Sequence, residues 1–395
     1  METICHVITK LELGGAQEVA LYAVSHLDRR RCRPVLVAGP GGFLTEEAHR
    51  LPGVETIIVP SLGRHIHAIS DVLALVHLAL LFRRLRPAIV HTHSSKAGIL
   101  GRWAAWLAQV PVIVHTVHGF GITPAQPPWL RRLLIWLERM TGWVTTHWIT
   151  VAQVDAQRGR QWGLFESNVS VIRPGIDPRP FQRPLESSAR ARLRGGFGAG
   201  AEDYLIGTVA CFKPQKAPQD VIAVAKLMCA QARRARFVLI GDGELRPDIE
   251  ALIRRHGLQD RVHLAGWRRD VDRAMNSFDA LLLTSHWEGF PRVILEATSA
   301  RLPIVSTRVG GVEELVMHRC CNLRLYEAGD IEGLATGLQS FIRESEAGGK
   351  PAAGFQGELP REFHLDEMVK QYQSLYDRLR SSRGETLAPS PATQL

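Results

Sequence analysis

The stretch Ala280-Leu-Leu-Leu-Thr284-Ser-His-Trp-Glu288-Gly-Phe-Pro291-Arg-Val-Ile-Leu-Glu296-Ala297 reads as one complete strand–loop–helix unit. An apolar run ends near Thr284, a loop carries Glu288, and Pro291 is suited to the first helical position, where a missing N–H costs nothing. The free N–H groups of that first turn and the helix dipole favour a phosphate. Glu296 falls five residues into the helix, about 7–8 Å along its axis at 1.5 Å per residue. That is roughly the reach from a diphosphate to the ribose of the same nucleotide. An ionised carboxylate only accepts hydrogen bonds, so it suits a ribose diol. Glu288, at the mouth of the helix, would meet whatever is attached beyond the phosphates. Two glutamates eight residues apart also arise by chance, as a surface loop residue and a solvated helix residue.

The same alternation extends in both directions. Before it, strands are expected at Ile4–Ile8, Pro34–Ala38, Thr56–Val59, Ala88–Thr92, Val112–Thr116, Trp148–Ala152 and Val169–Ile172. Ala16, Val19, Ala20, Ala23, Val24 and Leu27 follow the spacing of a buried helical stripe. Three prolines and a glycine within Arg173–Phe181 mark a linker. A second series of strands follows at Tyr204–Cys211, Arg236–Ile240, Val262–Leu264, Ala280–Thr284 and Ile304–Thr307, with helices starting near Gln215, Leu245, Asp270 and Pro291. The Gly-rich run Arg194–Gly200 has no Lys-Ser/Thr after it, so it reads as a flexible connector and not a phosphate loop. Amphipathic segments at 329–343 and 364–380 come next. Strands alternating with helices predict an α/β chain of two doubly wound parallel sheets, with ligands at their carboxyl ends. The expected division is 1–177, 178–360, a C-terminal helix over 361–382 returning to the first domain, and a disordered Ser/Pro/Thr tail over 383–395.

Composition narrows the partners. The chain has 395 residues, 45% hydrophobic and 22% charged, with a net charge of +9; this suits two domains and phosphorylated or anionic partners. The cysteines Cys5, Cys32, Cys211, Cys229, Cys320 and Cys321 form no C-x-x-C pair, as in a reduced cytoplasmic protein. The longest apolar run, Val72–Phe82, is too short to span a bilayer, which takes about 18–20 residues. The start METICHVITK is a strand and lacks the marks of a signal peptide. A cytoplasmic protein is expected, at most peripheral on the inner membrane face.

Other residues could carry chemistry. Lys213 and Lys216 lie in the loop after the strand ending at Cys211 and could neutralise a diphosphate, or could be ordinary solvated lysines. Gly14 and Gly15 join the first strand to the first helix, where glycine permits close backbone approach to a ligand or simply makes a tight turn. Histidines crowd the first half at His65, His67, His91, His93, His115 and His118. His91 and His93 share a strand face, but neither an H-E-x-x-H helix nor a cysteine partner supports a metal site. His118, just past a strand end, is the best single candidate to meet a reacting group. Pro128–Arg139 and Leu81–Arg86 are basic amphipathic segments, suited to anionic lipid or equally to core packing with arginines outward.

Taken in order, Gly14-Gly15, the run Ile89–Arg102, His115-Thr-Val-His118-Gly-Phe120, Val171-Ile-Arg-Pro-Gly175-Ile-Asp177, Lys216, Gly241-Asp-Gly243-Glu-Leu-Arg246, the pair Glu288 and Glu296, and Gly310-Gly311 resemble the retaining family-4 glycosyltransferases. The resemblance covers roughly residues 3–380. It implies the GT-B fold, two Rossmann-like domains facing across a cleft. It further implies that Glu296 holds the donor ribose, that Glu288 holds the donor sugar's hydroxyls, and that Lys216 binds the diphosphate, with the backbone of Gly289 and Phe290 helping. Gly14 and Gly15 would let the backbone approach the phosphates, Lys213 would add charge, and His118 would face the donor sugar. No metal or cofactor is implied. The sequence departs from the family at Cys211, where Arg is common, at Ala217, where Gly is usual, and over 317–326, which lacks the closing glycines.

The activity expected is therefore retaining transfer from a nucleotide diphosphate sugar, by default UDP-linked, to an acceptor sugar, glycolipid or polysaccharide of the cell envelope. A non-hydrolysing sugar-nucleotide epimerase and an inactive nucleotide-sugar-binding membrane scaffold are the alternatives. Basic residues are dispersed and no recognition module is present, so no nucleic-acid partner is expected.

Overall fold

The computed structural model describes residues 1–123, 125–318, 321–347 and 358–386. Within them the chain forms two units, one of Met1–Gly175 with Leu365 onward and one of Ile176–His364. In the first unit, β1 (Glu2–Ile8), β2 (Cys32–Ala38), β3 (Glu55–Ile58), β4 (Ile89–His93), β5 (Val112–Val117), β6 (His147–Thr150) and β7 (Val169–Val171) pair in the order β3-β2-β1-β4-β5-β6-β7. Every pairing is parallel. The second sheet contains β8 (Tyr204–Val209), β9 (Ala235–Ile240), β10 (Val262–Gly266), β11 (Ala280–Leu283), β12 (Ile304–Thr307) and β13 (Leu323–Tyr326), ordered β10-β9-β8-β11-β12-β13 and again all parallel.

The central strands are buried on both faces, as parallel strands must be when helices cover each side. Alternate residues of the first sheet therefore feed different cores. Ile4, Ile89, Val112 and Ile149 pack with Val19 and Ala23 of the helix Gly15–His26 and with Met368, Tyr372 and Tyr376 of the helix Leu365–Thr386. Cys5, Val7, Val90 and Ile113 pack on the other side with Leu78 and Phe82 of the helix Ala68–Leu85 and with Ala97 and Ala104 of the helix Ser95–Leu107. Both sheets reverse strand order beside their first strand, between β1 and β4 and between β8 and β11. Such switch points, at the carboxyl ends of the strands, are where doubly wound sheets receive ligands.

The structure departs from the expectations in five places. The run Arg194–Gly200 is not a flexible connector: Arg194 lies inside the helix Ser187–Gly196 and is only 3% exposed. Its guanidinium pairs with Asp279 at 2.8 Å and donates to the carbonyls of Ser277 and Gly200, and this buried anchor orders the glycines around it. The helix expected near Gln215 begins at Pro218, because Pro214–Lys216 form a 3-10 turn and Ala217, at φ 43°, breaks the helical path. Pro291 stands just outside its helix with extended backbone, and Arg292 is the first helical residue. The loop stays extended that far because the Gly311 N–H donates to the Gly289 carbonyl at 2.7 Å and Phe290 packs on Phe363.

β13 occupies the atypical 317–326 segment, where no strand is expected from a run so short and mixed in polarity. It forms by pairing with β12, and the Tyr326 ring packs so closely on Gly337 that a Cβ there would come within 2.8 Å. Arg319 and Cys320 of that segment lie outside the described residues. Helix Leu365–Thr386 runs four residues into the expected tail, since extending a formed helix is cheap. The rest of the tail, from 387, lies outside the described residues.

Candidate active site

In the second unit, the two loops that flank the switch point each deliver one charge. Lys216 ends the 3-10 turn after β8, and Glu288 sits in the loop after β11. They meet in an ion pair between Lys216 Nζ and Glu288 Oε1. Ser285 Oγ donates to the same carboxylate oxygen at 2.7 Å, and Gln215 Nε2 reaches Oε2 at 3.4 Å. Glu288 is thus buried yet fully compensated, the condition under which a charge tolerates removal from water.

The two loops are sewn together by their backbones. The His286 N–H donates to the Gln215 carbonyl at 2.8 Å, and Gln215 Nε2 to the Trp287 carbonyl at 2.9 Å. Thr284 Oγ1 donates to the carbonyls of Lys216 and Ala217. From the side, Gly310 presses on the Glu288 loop: at φ +55° its Cβ would lie 2.3 Å from the Gly289 carbonyl oxygen and 2.4 Å from that of Glu288. Only glycine fits there. Glu296 is the fifth residue of the helix Arg292–Ser299, half-buried, and shares its face with Arg292 and Val293, while Ile294, Leu295 and Ala297 turn into the core. Lys213 is half-buried at the start of the 3-10 turn, three residues before Lys216.

In the first unit, Gly14 caps the helix Gly15–His26 and Gly15 is its first residue, directly after β1. Gly14 has ordinary extended backbone, φ −178°, so its conformation does not itself demand glycine. His118 follows β5 and its Nε2 lies 2.9 Å from His93 Nδ1. The register that sets His6 of β1 opposite His91 of β4, and His93 opposite Thr116 of β5, stacks these side chains on one sheet face. His6 Nδ1 meets His93 Nε2 at 3.0 Å. His91 meets Tyr376 Oη at 2.5 Å through Nδ1 and Thr116 Oγ1 at 2.7 Å through Nε2. Tyr376 Oη in turn lies 3.3 Å from His6 Nε2.

Burial disfavours the imidazolium throughout this group. It lowers His118 to about 4 and His6 to about 3, and holds His91, His93 and His115 well below the usual histidine range. Nitrogens of His6, His91 and His93 lie within 4.8 Å of one another, a spacing open to a shared cation. Yet every ring nitrogen of the three already has a hydrogen-bond partner, so the group is a chain of neutral imidazoles.

The structure therefore brings Lys216 to Glu288, keeps Gly289 and Phe290 in the same loop, and sets Glu296 on the helix that follows. Gly14, Gly15 and His118 belong to the other unit, at the carboxyl ends of β1 and β5. Ser285 and Gln215, which hold Glu288, escaped sequence reasoning, although a serine three residues before the glutamate was a visible signal. His6 and Tyr376 left none, because their partners come from remote parts of the chain.

Two family models match this sequence, Glycosyltransferase Family 4 over residues 13–179 and Glycosyl transferases group 1 over residues 190–352. The chain is 33% identical over 344 residues to the UDP-Gal:alpha-D-GlcNAc-diphosphoundecaprenol alpha-1,3-galactosyltransferase of Escherichia coli, covering 85% of this chain and 86% of that one. It is 28% identical to the N-acetyl-alpha-D-glucosaminyl L-malate synthase of Bacillus anthracis, over 69% of each. Its fold superposes on HepE of Anabaena in complex with UDP-glucose with a TM-score of 0.79 at 21% identity, covering 96% of this chain and all of that one.

Proposed function

The chain belongs to the group 1, family-4 glycosyltransferases of GT-B fold, and from that premise we propose that it transfers a sugar from a UDP-sugar to a hydroxyl of a lipid-linked envelope saccharide, with retention of configuration and without a metal. The observation that carries the reading is the buried Lys216–Glu288 pair beside the start of the helix Arg292–Ser299, at the switch point of the second sheet. The relatives support the substrates: one is named for a UDP-galactose donor and a diphosphoundecaprenol-linked acceptor.

In this reading Lys216 exchanges Glu288 for the donor's diphosphate, and Lys213 and the backbone of Gly289 and Phe290 add to its stabilisation. Glu296 accepts from the ribose diol, Glu288 from the donor sugar's hydroxyls, Gly14 and Gly15 admit the phosphates, and His118 meets the sugar near its reacting carbon. The anomeric carbon–phosphate bond breaks as the acceptor oxygen bonds to that carbon on the same face. The acceptor's proton passes to the departing phosphate oxygen. Fixed positive charge on that diphosphate is the main catalytic term, the role a divalent cation plays elsewhere.

The acceptor's lipid gives the first unit a surface to work on. The helix Ala68–Leu85 exposes Ile69, Val72, Leu73, Val76 and Leu80 along one side and ends in exposed Arg83 and Arg84. The helix Pro128–Gly142 turns Trp129, Leu133 and Trp136 outward beside exposed Arg132 and Arg139. The helix between them in sequence, Ser95–Leu107, packs against both and exposes Trp106. Apolar rows edged with arginine suit the headgroup region of an anionic membrane.

The reading is tested by thermal shift with UDP, GDP, ADP and CDP, each with and without EDTA, followed by transfer from UDP-galactose to a synthetic N-acetylglucosaminyl diphospholipid. Selective stabilisation by UDP, roughly 2.7 kcal/mol at one hundred times its dissociation constant, unchanged by EDTA and followed by product with an α linkage, is expected. Preference for another base, loss of binding with EDTA, or conversion of the sugar nucleotide without an acceptor would each overturn the corresponding part.

A further inference from the structure

Six polar side chains in the interior of the first unit form a line of hydrogen bonds: Thr116, His91, Tyr376, His6, His93 and finally His118. Each neutral imidazole offers one N–H and one bare nitrogen, and each hydroxyl one proton. In such a line the direction of any single bond dictates all the others. One bond is decisive. Tyr376 Oη has one proton and two ring nitrogens beside it, His91 Nδ1 at 2.5 Å and His6 Nε2 at 3.3 Å. A phenol O–H is a stronger donor than an imidazole N–H and a ring nitrogen a stronger acceptor than a phenol oxygen, so the proton goes to the nearer nitrogen, His91 Nδ1. Tyr376 Oη must then accept from His6 Nε2–H, which fits the longer 3.3 Å separation. His6 Nδ1 accepts from His93 Nε2–H, and His93 Nδ1 accepts from His118 Nε2–H. At the other end, His91 Nε2–H donates to Thr116, whose hydroxyl also bonds Tyr372.

We propose that Tyr376, carried on the C-terminal helix Leu365–Thr386, is a positioning residue that sets the tautomer of His118, leaving Nδ1 as a bare acceptor for a hydroxyl of the donor sugar. The role of that acceptor rests on the transferase reading above; the direction of the line does not. Burial keeps every member neutral at physiological pH, so the order is not erased by an extra proton. The C-terminal helix thus supplies more than apolar packing to the first unit. Its phenol selects which face of a distant imidazole accepts and which donates.

The test is long-range proton–nitrogen correlation NMR on the full chain labelled with 15N-histidine, in the absence of any ligand. His118 is expected as the Nε2–H tautomer. Tyr376→Phe should turn it into a mixture of both tautomers, and Thr116→Val should push it towards Nδ1–H, because His91 Nε2–H loses its acceptor. His115 bonds Thr92 outside the line and should be unchanged in both, serving as an internal control. Transfer from a UDP-sugar should fall about ten-fold in kcat in Tyr376→Phe, the worth of one hydrogen bond of about 1.4 kcal/mol. A wild-type Nδ1–H tautomer, or a His118 unmoved in both folded variants, overturns the proposal. An inactive wild-type chain showing the expected tautomers would instead sink the transferase reading alone.

Discussion

Lys216 and Glu288 stand at the ends of β8 and β11, neighbouring strands of the second sheet, and close on each other in a largely buried ion pair that Ser285 completes with a 2.7 Å hydrogen bond. The pair occupies the point where strand order reverses, and the threonine, glutamine and histidine backbone bonds around it lock both loops into one surface. In the proposed reading, a lysine held in this way would be pre-positioned for a diphosphate, and its partner carboxylate for hydroxyls once the lysine is claimed.

Lys216→Ala and Glu288→Ala should each lower transfer by roughly 10²–10³-fold, as loss of a principal charge-stabilising group does elsewhere. Their effects on folding should differ from those on catalysis. Each leaves a buried partner charge uncompensated, so the single variants should melt lower than a Lys216→Met/Glu288→Gln double variant, in which neither charge remains. Steady-state rates and thermal melts of the three proteins check this.

Gly310→Ala should destabilise the second unit by about 1–3 kcal/mol, since a left-handed backbone and a clash with two carbonyls must both be relieved. Because the carbonyls belong to Glu288 and Gly289, donor affinity should fall with it. Urea melts and UDP titration of the variant measure the two effects, and a variant with normal stability would contradict the geometry.

Arg194→Ala should be strongly destabilising in the second unit, about 2–4 kcal/mol, because it leaves the carbonyls of Ser277, Gly200 and Asp203 without their buried donor, while Asp279 keeps Arg190 and the Leu205 N–H. Any enzyme that remains folded at low temperature should keep its kcat, as Arg194 belongs to the anchor of the sheet and not to the loops around Glu288.

Stability should fall steeply as the pH drops below about 6.5, the value of an unperturbed histidine. His6 and His118 are lowered in the folded state to about 3 and about 4, and burial likewise holds His91, His93 and His115 well below the usual histidine range. Between pH 6.5 and 4 the unfolded chain binds protons that the folded chain does not. The sign is therefore positive: stability rises with pH through this window, by up to about 1.4 kcal/mol per unit for each histidine. Chemical denaturation at pH 7, 6 and 5 should show it, and a flat profile would mean these rings are not buried neutral.

Flotation with vesicles tests the exposed apolar rows. Binding to phosphatidylglycerol-containing vesicles is expected at low salt, with a loss of about ten-fold in Val72→Asp/Leu80→Asp and a further loss as salt rises. Equal binding by the variant, or none by the wild type, would remove the membrane from the account.

Much of this protein was legible without coordinates. The alternation of apolar strand runs and helical stripes specifies two parallel sheets, since those periodicities are local properties of the chain. The loop positions of Lys216 and Glu288 and the helical position of Glu296 follow from the same local reading. β13 was not legible, because four residues of mixed polarity become a strand only by pairing with β12. Arg194–Gly200 was misread for a related reason: glycines signal freedom locally, and only a buried guanidinium bonded to Asp279 removes it.

By itself, then, the sequence determined the alternation of strands and helices and the loops in which Lys216 and Glu288 lie. Only the tertiary structure decided which of those residues touch. The meeting of Lys216 with Glu288, and of Tyr376 with His91 and His6, depends on strand order and register. Those are set by long-range pairing and packing, whose energies appear nowhere in a local stretch of chain.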